Sequence, residues 1–193
     1  MSRSTRLLPL AGALLLLGAL HARAERHPSP REVARRFYDA FCAGDAATLE
    51  RLYHPQVRFR DEVFAFDDRA GTMGMWRLLV RKEAGARFRY ELLGADGEVA
   101  TVRWTADYRF PPPDGSPVHN VITARLVVRD GLIVEHTDAF SWDAWSRQAF
   151  PWLHGASSWP GVKQALKWGI RTVLAMQVAR PPSKGITERL GRD

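Results

Sequence analysis

The spacing of apolar residues divides the chain into a helical part and a strand-rich part. Val33, Phe37 and Phe41 recur at i, i+4 and i+8. They follow a capping box made by Ser29 and Glu32, so the pattern is typical of an amphipathic helix. Later in the chain, apolar and polar residues alternate, which indicates strands with one buried face. The pattern predicts an α+β domain in which helices precede a sheet.

The first predicted strand follows two helices. Gly44 ends the first helix, Asp45 caps a second short one, and the His54-Pro55 step stops it. Residues 57–63 then alternate between apolar and polar side chains, which predicts a strand. Asp61 falls on the apolar face of that strand.

The sequence pattern in the rest of the domain predicts an antiparallel meander. A third helix is expected near residues 72–81, and a second strand around residues 88–92. Turn-forming segments at residues 94–97, 111–117 and 130–131 then separate three alternating runs. The inward-facing residues predicted for these runs are Val102, Trp104, Ala106, Tyr108 and Phe110; Val118, Asn120, Ile122, Ala124, Leu126 and Val128; and Leu132, Val134, His136, Asp138, Phe140 and Trp142.

Polar side chains interrupt these apolar faces. Asp61, Asn120, His136 and Asp138 each lie on a strand face that is otherwise apolar. A buried polar group without a hydrogen bond costs about 1–3 kcal/mol. These residues must therefore pair with one another, or be completed by a ligand and ordered water. This pattern is the main functional signal in the sequence.

The two ends of the chain are predicted to lie outside the main domain. Apolar residues 7–20, preceded by arginines and followed by Ala22-Arg23-Ala24, are typical of a cleaved export signal. An uncleaved N-terminal anchor is the alternative. We therefore expect a signal peptide at 1–24, a domain at 25–155, a C-terminal helix with a flexible tail at 156–193, and a periplasmic or secreted protein.

Composition and motifs argue against several partners and cofactors. Residues 1–24 contain three arginines and no acids, so without them the net charge falls from +7 to +4. Lysines and arginines are scattered rather than clustered with aromatic residues, so nucleic-acid binding is not expected. No glycine-rich phosphate loop, haem motif or metal-ligand spacing occurs in the sequence, so we expect no cofactor and no metal.

An amphipathic basic helix is predicted after Trp159-Pro160. Such helices can lie on membranes, but packing on the domain with a solvated basic edge is the favoured interpretation. No stable membrane contact is therefore expected after signal cleavage. The apolar side of this helix would carry Val162, Leu166, Ile170 and Val173, and the basic side Lys163, Lys167 and Arg171.

Several segments resemble the SnoaL-like and ketosteroid-isomerase-like branch of the nuclear transport factor 2-like superfamily. They are Phe37-Tyr38-Asp39-Ala40-Phe41, Ala43-Gly44-Asp45, Tyr53-His54-Pro55, Phe59-Arg60-Asp61, and the two closing segments 131–138 and 140–149. The resemblance extends from about Pro30 to His154. It implies a cone-shaped, curved antiparallel sheet wrapped around N-terminal helices, with a pocket at the open end. Family members often dimerise through the sheet, so a homodimer is an expectation too.

The resemblance and the inward-facing pattern together select candidate site residues. In the family's steroid isomerases, the aspartate at the place that matches Asp61 is the general base, and burial would raise its pKa. Structural pairing of Asp61 with an arginine is the alternative. His136 and Asp138 are further catalytic candidates, or else a buried network that fixes the sheet. Candidate ligand contacts are Asn120, Tyr108, Trp104, Phe59 and Trp76.

Three functions from different classes fit these residues. The leading hypothesis is an isomerase, cyclase or lyase for a small apolar carbonyl compound, with Asp61 as the base. Asn120 or Tyr108 would then stabilise an oxyanion, although Asn120 could equally bond to His136. The alternatives are a non-catalytic binding protein for an apolar metabolite, and an interaction module that uses the outer sheet face or the final helix. Since one fold hosts many reactions, the resemblance alone selects none of them.

Overall fold

Helices precede the sheet, as the spacing of apolar residues predicts. The computed structural model describes residues 27–80, 85–111 and 115–179. The predicted signal segment 1–24 and the tail after Pro182 lie outside the described residues. The elements are α1 Pro30–Ala43, α2 Ala46–Leu52, β1 Tyr53–Arg60, β2 Ala65–Phe66, α3 Arg69–Leu79, β3 Arg87–Asp96, β4 Val99–Phe110, β5 Ser116–Arg129, β6 Leu132–Ala139, α4 Trp142–Ala149 and α5 Pro160–Ala179.

Local capping fixes the first two helices where the sequence predicts. The Ser29 hydroxyl accepts a hydrogen bond from the Glu32 amide, and the Glu32 carboxylate accepts one from the Ser29 amide at 2.8 Å. Gly44 ends α1 with φ of 80°, a left-handed conformation that glycine adopts without steric cost. The Asp45 side chain then caps α2 by accepting from the Thr48 amide at 3.0 Å.

The sheet is mixed, with the strand order β2-β1-β6-β5-β4-β3. Strands β3 to β6 form the predicted antiparallel meander. Strand β1, however, pairs with β6 in parallel, with Phe59 opposite His136. The strand predicted over residues 57–63 begins earlier, at Tyr53, and ends at Arg60, so Asp61 lies just beyond it.

An irregularity in β6 changes which of its residues face inward. Val127 pairs with Glu135 but Val128 pairs with Ile133, so Val134 is an extra residue in β6. Ile133 is fully buried, whereas Leu132 and Val134 are only partly buried. The prediction that Leu132 and Val134 share the face of His136 is therefore wrong, because the bulge shifts the alternation by one residue.

Two apolar clusters fill the interior. The larger joins α1, α3 and the sheet, and contains the fully buried Phe37, Phe41 and Trp76. The smaller is built around Trp142 and Trp145 of α4. Three partly buried aromatic residues pack against both clusters: Phe64, Tyr108 and Phe140.

Helix α5 packs on the domain partly through its predicted apolar side, where Leu166 and Ile170 lie against the smaller cluster, and partly through a lysine of its basic side. Lys167 is only 8% exposed, while Val173, expected on the apolar packing side, is 53% exposed. The expected solvated basic edge is wrong at Lys167, which is buried and pairs with the carboxylate of Glu62. Among the described helices, none has both the length and the apolar character needed to cross a membrane.

Phe37→Ala should destabilise the domain by about 3–5 kcal/mol, because Phe37 is fully buried against the rings of Tyr53, Trp76 and His136. Urea denaturation would measure the loss. Val121→Ala, at a residue that is 47% exposed, is the control and should change stability by less than about 0.5 kcal/mol. Equal effects of the two substitutions would contradict the assignment of Phe37 to the core.

Candidate functional site

A chain of buried hydrogen bonds runs through the larger cluster. The Tyr53 hydroxyl lies 2.6 Å from Nδ1 of His136, and Nε2 of the same ring lies 3.1 Å from Oδ1 of Asp138. The indole Nε1 of Trp104 also donates to that Asp138 oxygen, at 3.3 Å. Tyr53 and His136 are fully buried, and the side chain of Asp138 is 4% exposed. We call these four residues the polar network.

Strand pairing brings the polar network together. The parallel pairing of β1 with β6 places Phe59 beside His136. On the other side of β6, Ala124 lies opposite Asp138. Aromatic rings then enclose the imidazole, with ring centroids of Phe37, Phe59 and Trp76 at 5.3, 5.2 and 5.6 Å from it.

Both ring nitrogens of His136 have hydrogen-bond partners in the polar network. An ionised Asp138 only accepts hydrogen bonds, so Nε2 of His136 carries the proton that binds it. In a neutral imidazole with the proton on Nε2, Nδ1 accepts from the Tyr53 hydroxyl. Burial and the charge of Asp138 raise the pKa of Tyr53 well above its usual range, so its phenol keeps the proton it donates.

Two buried donors beside the polar network lack hydrogen-bond partners among the described residues. They are the hydroxyl of Tyr38 and the indole Nε1 of Trp76. Burial, with the charge of Asp138, raises the pKa of Tyr38 well above its usual range. Since unpaired buried donors are costly, both groups are suited to an ordered water or a polar ligand atom.

Asp61 lies in a tight turn after β1. Its Oδ1 accepts hydrogen bonds from the backbone amides of Val63 and Phe64, at 2.6 and 2.5 Å. Its own amide donates to the Phe64 carbonyl at 3.0 Å. Oδ2 accepts no hydrogen bond from the described residues, so one carboxylate oxygen is held and the other is available.

Burial raises the pKa of Asp61 to about 6. The backbone amides of Phe64 and Val63 oppose this shift, the charge of Asp138 adds to it, and the charge of Lys167 opposes it. The parallel pairing of β1 with β6 explains why the charge of Asp138 affects the pKa of Asp61. Arg60 lies opposite Thr137, so the next residue of each segment, Asp61 and Asp138, continues along the same direction.

The remaining predicted contacts lie in different surroundings. Asn120 is partly buried, and its side chain makes no hydrogen bond to the described residues. It does not bond to His136, whose partner on β5 is Leu126, about 20 Å along the strand from Asn120. The hydroxyl of Tyr108 accepts from the indole of Trp145 at 2.6 Å, and burial raises the pKa of Tyr108 to about 12.

The three other ligand-contact predictions concern well-buried rings. Phe59 and Trp76 are fully buried, and Trp104 is 7% exposed. In the structure they surround and hold the polar network. Their contact with a ligand stays a prediction, as do the catalytic roles of Asp61, His136 and Asp138.

Tyr53 is the site residue that the sequence pattern does not single out. It lies where α2 meets β1, and its partner His136 is 83 residues away. No local periodicity reports such a distant pairing. The sequence signal at this position is the Tyr53-His54-Pro55 step, which is part of the family resemblance.

Residues 34–136, slightly more than half of the sequence, match the SnoaL-like domain. The chain belongs to the SnoaL-like domain family. The matching range includes Asp61 and His136, whereas Asp138, α4 and α5 lie beyond it. Among curated proteins, none matches the sequence significantly.

Solved structures share the nuclear transport factor 2-like fold of this SnoaL-like protein. IdmH from Streptomyces antibioticus, provisionally identified as a polyketide cyclase, is 23% identical, with a TM-score of 0.53 over 63% of this chain and 98% of that one. A provisional polyketide cyclase from Pseudomonas putida KT2440 is 20% identical, with the same TM-score and coverages. An epoxide hydrolase from M. tuberculosis, described as LEH-like, is 17% identical, with a TM-score of 0.47 over 72% of this chain and 93% of that one.

The stability of the SnoaL-like domain should depend on pH through Asp61. A pKa raised from 3.8 to about 6 means that ionisation is harder in the folded state. Stability from this group is therefore full below the ordinary pKa and is lost as pH rises to about 6. The loss amounts to roughly 3 kcal/mol, at 1.36 kcal/mol per pKa unit.

Asp61→Asn should remove this pH dependence, because the amide oxygen can accept the same two backbone hydrogen bonds. Urea denaturation should show similar stabilities for variant and wild type near pH 4, and a variant more stable by roughly 2–3 kcal/mol near pH 8. Asp96→Asn, at an exposed position, is the control and should follow the wild type. A constant difference across the pH range would refute the raised pKa.

Proposed function

We propose that this SnoaL-like protein is an exported isomerase, cyclase or lyase that acts on a small apolar carbonyl compound, with Asp61 as general base. One observation carries the proposal. Asp61 is held by two backbone amides through Oδ1, while Oδ2 accepts no hydrogen bond from the described residues. A base with a pKa of about 6 is largely ionised at neutral pH, yet binds a proton more readily than an ordinary carboxylate.

The proposed reaction begins with proton abstraction. Oδ2 of Asp61 takes a proton from a carbon next to the carbonyl, and the C–H electron pair forms an enolate. In an isomerase, protonated Asp61 returns that proton to another carbon of the same conjugated system. In a cyclase, the enolate carbon instead attacks a second carbonyl of the substrate, whose oxygen then takes up a proton. Neither route requires a redox cofactor.

Two side chains are suited to stabilise the enolate oxygen. The Tyr108 hydroxyl accepts a hydrogen bond from Trp145, so its own hydrogen remains available for donation. A pKa of about 12 keeps that phenol protonated at neutral pH. The side chain of Asn120 makes no hydrogen bond to the described residues, so its amide group is also available. Donors that are fixed before the reaction favour this kind of charge development.

The polar network supports the base rather than replacing it. His136 has both ring nitrogens engaged and is fully buried, so it orients Asp138. The negative charge of Asp138 contributes to the raised pKa of Asp61. In this proposal, His136 and Asp138 assist proton transfer by tuning Asp61 and by orienting the substrate.

A thermal-shift screen of the full chain against apolar enones, lactones, epoxides and sterols should identify ligands. A compound at about 100 times its dissociation constant adds roughly 2.7 kcal/mol to the stability of the folded state. Binding that weakens in Asp61→Asn, but not in Asp96→Asn, would support a ligand at the proposed site. If no compound stabilises the protein, the small-molecule proposal fails in favour of a protein partner.

Turnover of a stabilising compound tests the catalytic assignment. A base must be ionised, so the rate should rise with pH through about 6 and then level off. Asp61→Asn should lower the rate by at least about 100-fold, the usual size of a general-base contribution. Stabilisation by ligands without turnover in either protein would instead identify a non-catalytic binding protein. Undiminished turnover in Asp61→Asn would exclude Asp61 as the base.

A further inference from the structure

The turn that holds Asp61 is contacted by helix α5, which lies outside the family match. Nζ of Lys167 lies 3.1 Å from the Glu62 carboxylate, and Nζ of Lys163 lies 3.5 Å from the same oxygen. Nε of Arg171 donates to the backbone carbonyl of Val63. The two residues that follow Asp61 are thus both attached to one helix face, on which the cations recur at i, i+4 and i+8.

The lysine contacts are partly shielded from water. The side chain of Lys167 is 10% exposed and that of Lys163 is 29% exposed. Both ammonium groups lie over the Trp142 ring, at 5.2 and 5.6 Å from its centroid. Burial by itself raises the pKa of Glu62, yet the hydrogen bonds and charges of the two lysines hold it below its usual value. The lysines therefore act on this turn as cations.

Burying cations is an energetically unfavourable way to attach a helix to a domain. Removing a charge from water is unfavourable, and replacing a buried ion pair with apolar residues is often neutral or stabilising. The same helix has apolar residues that it leaves in solvent, with Trp168 70% exposed and Met176 61% exposed. On the inner face, Leu166 and Ile170 pack against the smaller apolar cluster, so apolar contacts already attach the helix beside the lysines. The inward charge therefore points to an electrostatic task at the turn.

We propose that α5 positions the candidate base: Lys167 and Lys163 hold the Glu62 carboxylate, and Arg171 holds the Val63 carbonyl, so that the turn carrying Asp61 is fixed. This inference rests on the proposed function, because it assigns a partner to the proposed base. Lys167, Lys163 and Arg171 are positioning residues in this scheme, since they act through the turn and not on a substrate.

Charged groups on two elements act on Asp61 in opposite directions. Asp138 of β6 disfavours its ionisation, and Lys167 of α5 favours it. Glu62 lies between Asp61 and the lysines and partly neutralises them. Lys167 is the α5 residue whose charge lowers the pKa of Asp61. Without it, no such charge on α5 would oppose the increase in pKa that Asp138 and burial cause.

Carboxyl ¹³C NMR titration of the full chain tests the proposal without any substrate. The Asp61 signal is assigned by its loss in Asp61→Asn. In Lys167→Met, which keeps a long side chain but removes the charge, the Asp61 midpoint should rise measurably above the wild-type value. In Lys167→Arg, which retains the charge, it should stay close to the wild-type value.

Arg125→Met is the matched control, because it removes one positive charge from an exposed position on β5. It should leave the Asp61 midpoint unchanged. An unchanged midpoint in folded Lys167→Met would overturn the proposal, as would an equal rise in Arg125→Met. If Lys167→Met does not fold, two other variants are compared: Glu62→Gln, and the double variant Glu62→Gln, Lys167→Met. The double variant removes both members of the ion pair, so neither charge is left buried without its partner. The double variant should have the higher midpoint, and equal midpoints would overturn the proposal.

Amide hydrogen exchange tests whether Arg171 holds the turn. Arg171→Met removes the donor to the Val63 carbonyl, so the amide hydrogens of Val63 and Phe64 should exchange several-fold faster with solvent. Unchanged exchange at both amides would contradict the role of Arg171. Because neither measurement involves turnover, failure of the proposed reaction and failure of this positioning role are separate results.

Discussion

The hydrogen bond between Tyr53 and His136 is the contact on which the interior is organised. It joins the start of β1 to the middle of β6, and it lies among the rings of Phe37, Phe59 and Trp76. A polar pair in such surroundings is stable only if every donor finds an acceptor. Asp138 completes that requirement for the imidazole. The same carboxylate then acts on Asp61, so the packing of the core and the chemistry of the turn depend on one set of bonds.

Local signals in the sequence were sufficient for most of the architecture. Capping by Ser29, Glu32 and Asp45 and the turn at Asp130-Gly131 are short-range features, and the structure contains the helices and the hairpin they predict. The inward placement of His136 and Asp138 followed from alternation along β6. Alternation failed for Leu132 and Val134 in the same strand, because a bulge cannot be seen from one strand without its partner.

Contacts between segments that are distant in sequence could not be predicted from the pattern of apolar and polar residues. The parallel pairing of β1 with β6 depends on how the sheet closes, and it determines that Tyr53 reaches His136. The inward orientation of Lys167 was also hidden, since its ion-pair partner Glu62 lies 105 residues earlier. Helical periodicity placed the lysines on a common face correctly, but it assigned that face to solvent because apolar residues normally pack inward. Strand alternation thus indicates Asp61 as a candidate base, whereas the groups that surround it are brought together only by the tertiary structure.

Helix α5 also sets the order in which the protein can be assembled. The turn at Asp61 is completed by Lys167 and Arg171, which follow it by more than 100 residues. A ribosome releases the chain from its N-terminus, so β1 and its turn emerge long before the helix that holds them. Contacts between segments so far apart in sequence form slowly, because a long loop must close first. The candidate base therefore acquires its final surroundings only after α5 has been synthesised, and a shortened product that ends before α5 would carry Asp61 without them.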